Sequence, residues 1–208
     1  DYDVAIIGGG VIGCAVLNKL TRHGVKAILI EKANDVGMGS SKANSGIVHA
    51  GFDCKPHTLK AKFNVRGNQL FHTLCPQLSV PLIKCGAIVV GNDKEAVKEL
   101  YERGIANGVD GLSVLDRAGL LQLVPDLKEE VTCGLYANTS CVVSPYMFTI
   151  ALAEEAVING AKVVFNTEIN SCEHTSNGYR LKANNLDIEV KYIVNASAMG
   201  YNDVAKIL

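Results

Sequence analysis

The sequence predicts an α/β fold, a mostly parallel sheet flanked by helices and interrupted by an inserted α+β segment. Three observations carry that reading. The chain opens on an apolar run, Asp3-Val4-Ala5-Ile6-Ile7, that leads directly into the glycine turn Gly8-Gly9-Gly10-Val11-Ile12-Gly13. A helix-spaced stretch and a second apolar run, Ala27-Ile28-Leu29-Ile30, follow at once and complete a strand-helix-strand unit. Past Pro81 the texture changes to short strands and helices, and Pro145 then begins a long helix that returns the chain to the sheet.

The first strand is short, apolar and bounded by glycine, as a strand buried on both faces is. Gly8, Gly10 and Gly13 occupy the G-x-G-x-x-G positions. The first makes a tight turn, the second admits a pyrophosphate close to the backbone, and the third lets the helix pack on the strand. The helix N-terminus then offers unpaired N–H groups to an anion. Ile12, Val16 and Leu20 recur at helical spacing, with Asn18, Lys19 and Arg22 on the other face, and Gly24 ends the helix. The second strand ends in Glu31, where such a unit sets an acid against a nucleotide ribose. Strand, turn, helix, strand and acid agree, so this opening is read as dinucleotide-binding.

From Lys32 to Gly51 the residues are small and polar with little periodicity. This loop leaves the strand end that presents Glu31 and is read as wrapping a ligand. Leu59, Phe63, Leu70 and Leu74 then mark a helix with one buried face. Lys60, Lys62 and Arg66 beside them read equally as a solvated face or as cations for an anionic substrate. Leu82 to Val90 reads as one strand, Asp93 as the cap of a helix with Val97, Leu100, Tyr101 and Ile105 on one face, and Arg117 to Leu123 as a short helix. Gly134 to Ala137 is a strand and Cys141 to Pro145 a turn. Residues 81–144 are therefore the inserted segment, and residues 1–80 with 145–208 the dinucleotide-binding domain. Beyond the long helix, Lys162 to Phe165 rejoins the sheet, and Thr167 to Cys172, Tyr179 to Ala183 and Leu186 to Val190 form a meander. Tyr192 to Asn195 is a further sheet strand, and a last helix carries Val204 and Ile207.

Composition sets the outer bounds. With 208 residues, 48% hydrophobic and 20% charged, the chain is globular and long enough for a sizeable core. A net charge of −1, without a run of five like charges, gives no field to attract nucleic acid. No stretch approaches the roughly 18 apolar residues of a membrane span, so a cytoplasmic protein without an integral membrane segment is expected. The seven cysteines are odd in number and lack a C-x-x-C pair, so they read as reduced and mostly structural, with no metal site.

On these residues the chain resembles the FAD-dependent oxidoreductases of the D-amino-acid-oxidase-like superfamily over essentially its whole length. The run Asn44 to Gly51, with Lys55-Pro56 and Leu59-Lys60-Ala61-Lys62, is similar to L-2-hydroxyglutarate dehydrogenases and oxidases. The run Val143-Ser144-Pro145-Tyr146-Met147-Phe148-Thr149, with the same first block, resembles anaerobic-type glycerol-3-phosphate dehydrogenases. The resemblance implies a Rossmann-like, GR2-type FAD-binding domain with FAD as cofactor. It places the pyrophosphate on the turn formed by Gly8, Gly10, Val11, Ile12 and Gly13, and the ribose on Glu31 with Lys32 beside it. Ser40, Ser41, Asn44, Ser45 and Gly46 match loop positions that line the cofactor, and Ile169 and Ala196 are further contacts. Where the family usually reads Asn-Ala-Ala-Gly, this chain reads Asn195-Ala196-Ser197-Ala198.

The chemistry implied by the resemblance is oxidation of a secondary alcohol beside an anionic group. Glycerol 3-phosphate going to dihydroxyacetone phosphate is the first substrate, and L-2-hydroxyglutarate the alternative; the electron acceptor is left open. His49 is the candidate base, since imidazole is suited to proton transfer near neutral pH, although a histidine bonded to flavin or backbone fits equally. An NAD-dependent enzyme and a non-catalytic nucleotide-binding fragment are the rival readings, and the Ser40 to Gly51 loop favours flavin over NAD. The resemblance also implies that these residues are the N-terminal part of a longer enzyme and do not turn over alone, with an incomplete substrate sheet that shows a partly apolar edge.

Overall fold

A computed structural model describes residues 2–208. The chain forms two compact units, one of residues 1–45 with 145–208 and one of residues 46–144. The first begins with β1 (Tyr2–Ile7), α1 (Val11–Arg22) and β2 (Ala27–Ile30). β2 runs parallel to β1, with Val4 to Ile7 opposite Ala27 to Ile30, and all eight of these residues are buried. Apolar runs without alternation require that burial on both faces.

The chain then builds the second unit. It contains β3 (Ile47–Val48), α2 (Leu59–Gln77), β4 (Leu82–Ile83), β5 (Ala87–Gly91), α3 (Lys94–Ala106), β6 (Leu112–Asp116), α4 (Arg117–Leu123), β7 (Cys133–Ala137) and β8 (Cys141–Val143). Its strands form two antiparallel sheets, ordered β3-β8-β4 and β5-β7-β6. Phe52, Val97, Val109, Leu135 and Ala137 sit in its core. Asp93 caps α3 as its position predicts, accepting from the N–H groups of Glu95 and Ala96. Residues 46–80, which the sequence reading assigns to the dinucleotide-binding domain, pack in this unit.

Three local expectations change here. The run Leu82 to Val90 is two strands, because β4 pairs with β8 and β5 with β7, and those partners are themselves separated by Asn138-Thr139-Ser140. The segment Cys141 to Val143 is a strand rather than a turn, since it receives β3 on one side and β4 on the other. The stripe of α2 expected to be buried faces outward, with Leu59 70%, Phe63 59% and Leu70 42% exposed. The inner face carries Ala61, Asn68 and Cys75 instead. The Asn68 amide donates to the carbonyls of Val48, His49 and Thr139, so hydrogen bonds offset its burial while its small neighbours allow close packing.

The return to the first unit is α5 (Pro145–Ile158), β9 (Lys162–Val164), β10 (Ser171–Thr175), β11 (Gly178–Ala183), β12 (Leu186–Asn195) and α6 (Tyr201–Ile207). A six-stranded sheet results, ordered β10-β11-β12-β1-β2-β9. β12, β1, β2 and β9 are parallel, and β10 and β11 are antiparallel. The expected break between Val190 and Tyr192 is absent from β12, whose first half pairs with β11 while its second half pairs with β1. α1 also turns a different face inward. Cys14, Leu17, Asn18 and Thr21 are buried while Ile12 is 66% exposed, because α5 covers the side that carries Asn18. Asn18 Nδ2 donates to the Leu152 carbonyl at 3.2 Å and to Glu155 at 2.7 Å, which satisfies it inside the packing. Among the described residues no helix is long and apolar enough to cross a membrane.

Candidate functional site

The parallel strands of the first unit end together, and the strand order reverses between β1 and β12, since β1 leads through α1 to β2 on its other side. Open α/β sheets bind ligands in the crevice at such a point. Gly8, at φ +108°, leaves β1 there; a Cβ on it would lie 2.6 Å from the Ala196 carbonyl oxygen at the exit of β12. The Ala196 N–H donates to the Ile7 carbonyl at 2.8 Å, which fixes the two exits against each other. A Cβ on Gly13 would overlap the Gly8 carbonyl oxygen, so only glycine lets α1 sit down on the turn.

Gly10 caps α1 without a side chain, and the first turn, Val11-Ile12-Gly13-Cys14, carries no acid. That helix start therefore keeps its positive end for an anion. Ser41 stands directly beside it, with its hydroxyl accepting from the Val11 N–H at 2.9 Å. Glu31 closes the other side: Oε2 accepts from the Gly9 N–H at 2.5 Å and Oε1 from the Ala33 N–H at 2.8 Å. A carboxylate offers about four lone-pair positions, so each Glu31 oxygen keeps one for a further donor. A helix start whose own cap residue has no side chain, a hydroxyl bonded to its first N–H and a carboxylate able to receive a vicinal diol are the groups that the pyrophosphate and ribose of a dinucleotide need.

Other predicted residues take varied positions. Lys32 is exposed and lies 3.7 Å from Glu168. Both line an open polar hollow of about 560 Å³ together with Asn166, Asn170, Asn184 and Asn185. Ile169 is 4% exposed, with its side chain in the core formed by Ala5, Ile7, Ile28 and Ile30. Ser40 and Ser45 are exposed, and Asn44 donates to the carbonyls of Ser40 and Ser41, which tightens the loop. Gly46 and His49 belong to the second unit, where the Gly46 carbonyl accepts from Val143 and the His49 side is exposed.

Several participants at the site carry no distinguishing signal in the sequence. Gly9 was only the middle of a glycine run, yet its N–H meets Glu31 and its carbonyl accepts from Gly37 at 2.8 Å. Tyr146 donates to Asp35 Oδ2 at 2.8 Å across 111 residues, a pairing with no local signal. That hydrogen bond pushes the Tyr146 phenol above its ordinary value, with burial and the Asp35 charge adding to the effect. Cys14 lies beneath the turn with its thiol 3.4 Å from the Gly9 carbonyl. Burial pushes it up to about 12, reinforced by the Glu31 and Asp35 charges, so it is a packing thiol and not a nucleophile. No group of three or more metal-ligating side chains is found among the described residues.

Fold and site together define a dinucleotide-binding α/β protein. Residues 3–206 match the family model described as FAD dependent oxidoreductase, and the chain belongs to that family. It is 43% identical over 201 residues to a glycerol 3-phosphate dehydrogenase of Caloramator mitchellensis, covering 95% of this chain and 42% of that protein. A mitochondrial L-2-hydroxyglutarate dehydrogenase of Nematostella vectensis is 35% identical over 164 residues, 76% of this chain and 34% of its own. Among solved structures, the dithionite-reduced L-alpha-glycerophosphate oxidase of Mycoplasma pneumoniae with FAD bound superposes with a TM-score of 0.89 at 31% identity, over 99% of this chain and 56% of that one. The chain thus spans about half the length, or less, of these relatives.

Proposed function

We propose that the protein oxidises a secondary alcohol carrying an anionic group, glycerol 3-phosphate in the first instance, with FAD held on the glycine turn of the first unit. The observation that carries the substrate is the 43% identity, across 95% of the chain, to a relative named glycerol 3-phosphate dehydrogenase. FAD, when bound, supplies the hydride acceptor. Glu31 receives the ribose hydroxyls on its two free lone pairs, and the α1 N–H groups with the Ser41 hydroxyl orient the pyrophosphate. Lys32 and the Ile169 backbone serve the adenosine end, and the small residues Gly8 and Ala196 leave room for the cofactor backbone. Ser40, Asn44, Ser45 and Gly46 line the flavin side of the loop. His49 takes the proton of the substrate hydroxyl on an imidazole nitrogen. Residues 81–144 form part of the substrate domain.

A second reading, oxidation of L-2-hydroxyglutarate, has its own support in the 35% identity to the Nematostella protein. Anaerobic mixing of the FAD-loaded full-length gene product with each alcohol separates the two. Bleaching of the flavin absorbance by glycerol 3-phosphate at least tenfold faster than by L-2-hydroxyglutarate supports the first reading, and the opposite order supports the second. Bleaching by neither refutes both.

A further inference from the structure

Resting on the FAD site just described, we propose that Tyr146 is a positioning residue for that site, holding through Asp35 the loop that carries Ser41 to the start of α1. Tyr146 stands in the first turn of α5, a helix fixed in the packing by the buried residues Phe148, Thr149 and Leu152. Its hydroxyl donates to Asp35 Oδ2 at 2.8 Å, and Asp35 Oδ1 accepts from the Val36 N–H at 2.7 Å. One residue further, the Gly37 N–H donates to the Gly9 carbonyl at 2.8 Å. Gly37 holds φ +70°, and a Cβ there would stand 3.4 Å from both the Tyr146 ring and the Thr149 methyl. The loop is therefore seated on α5 by the same two side chains. Gly9 is gripped from both ends, its N–H by Glu31 and its carbonyl by the seated loop. Four residues beyond Gly37, Ser41 meets the Val11 N–H. The phenol thus links a rigid helix to the turn, the ribose acid and the hydroxyl beside the anion position. Removing it frees the loop, and ordering the loop again is then charged against FAD binding.

The test measures FAD affinity of the apoprotein by flavin fluorescence, with the apoprotein unfolding temperature recorded in parallel. Tyr146→Phe and Asp35→Ala are each expected to raise the Kd about tenfold, the size of one lost hydrogen bond to a charged group. The double variant should rise no further than Asp35→Ala alone, because Asp35→Ala already removes the contact that Tyr146→Phe removes. Asp35→Asn keeps an oxygen acceptor for the phenol and should recover most of the affinity. A lower unfolding temperature with an unchanged Kd in both single variants overturns the positioning role, since a purely structural contact would behave so. Glu31→Ala separates this failure from a failure of the site itself. If Glu31→Ala weakens FAD and Tyr146→Phe does not, the site stands and the positioning role falls; if neither does, both fall.

Discussion

Replacing Glu31 by Gln changes one oxygen to an amide nitrogen and leaves the volume almost unaltered. In the parent, each carboxylate oxygen accepts a backbone N–H, from Gly9 at 2.5 Å and from Ala33 at 2.8 Å. Glutamine keeps one acceptor and turns an NH₂ group toward the other N–H. An unsatisfied donor costs about 1–3 kcal/mol when buried, and the surviving bond loses its charge assistance, roughly half its strength. Glu31 is only half-buried, so we take the low end of both and expect a loss of about 2 kcal/mol in the apoprotein. For a chain of this size that corresponds to about 4–8 °C in Tm. The same substitution removes one of the lone pairs proposed for the ribose, so the Kd for FAD should rise at least about tenfold. Calorimetry of the apoprotein and a fluorescence titration with FAD read the two effects separately. A Tm within 1 °C of the parent, together with a Kd within twofold, would refute the role given to this carboxylate.

Gly13→Ala drives a methyl into the Gly8 carbonyl, and overpacking of this kind costs roughly 2 kcal/mol; chemical denaturation should show it, together with weaker FAD binding, and a neutral result would mean that α1 sits off the turn. Cys14, pushed up to about 12, should resist iodoacetamide at pH 8 in the native protein while the exposed Cys85 reacts; peptide mass mapping that finds both labelled equally fast contradicts this. Glu155 tests the pH dependence. Burial alone would raise its carboxyl, but hydrogen bonds from Asn18 and Arg22 outweigh that and hold it below its ordinary value of 4.5. A carboxyl lowered in the folded state stabilises it above the ordinary value, and the contribution disappears as pH falls through the lowered one. Glu155→Gln should therefore flatten the acid limb of a stability-versus-pH curve, and an unchanged slope between pH 5 and the acid transition would count against the Arg22–Glu155 pair.

What the sequence made legible was local. Strand, glycine turn, helix and acid lie within 31 residues, and each follows from burial, backbone sterics or helix-end chemistry acting on near neighbours. The inner face of α1 does not follow from its apolar spacing, because Asn18 is buried by partners 134 and 137 residues away, where Leu152 and Glu155 satisfy its amide. The α2 stripe failed similarly, since apolar spacing marks a face but cannot say whether that face or the one carrying Asn68 meets the rest of its unit. The split at Lys84 to Gly86 depends on where β7 gives way to β8, and no feature of the strand itself reports it. At the site, Glu31 and the glycines were legible from spacing. The seating of Ser41 was not, because a loop without periodicity gets its shape from tertiary contacts such as Asp35 with Tyr146.

The most direct test of where the cofactor sits is an experimental structure of the FAD-bound holoprotein. A ribose hydroxyl is expected on each Glu31 oxygen within about 3.2 Å, and pyrophosphate oxygens at the N–H groups that open α1 with the Ser41 hydroxyl in reach. FAD bound with its ribose away from Glu31, or with its pyrophosphate anywhere but the start of α1, would contradict it.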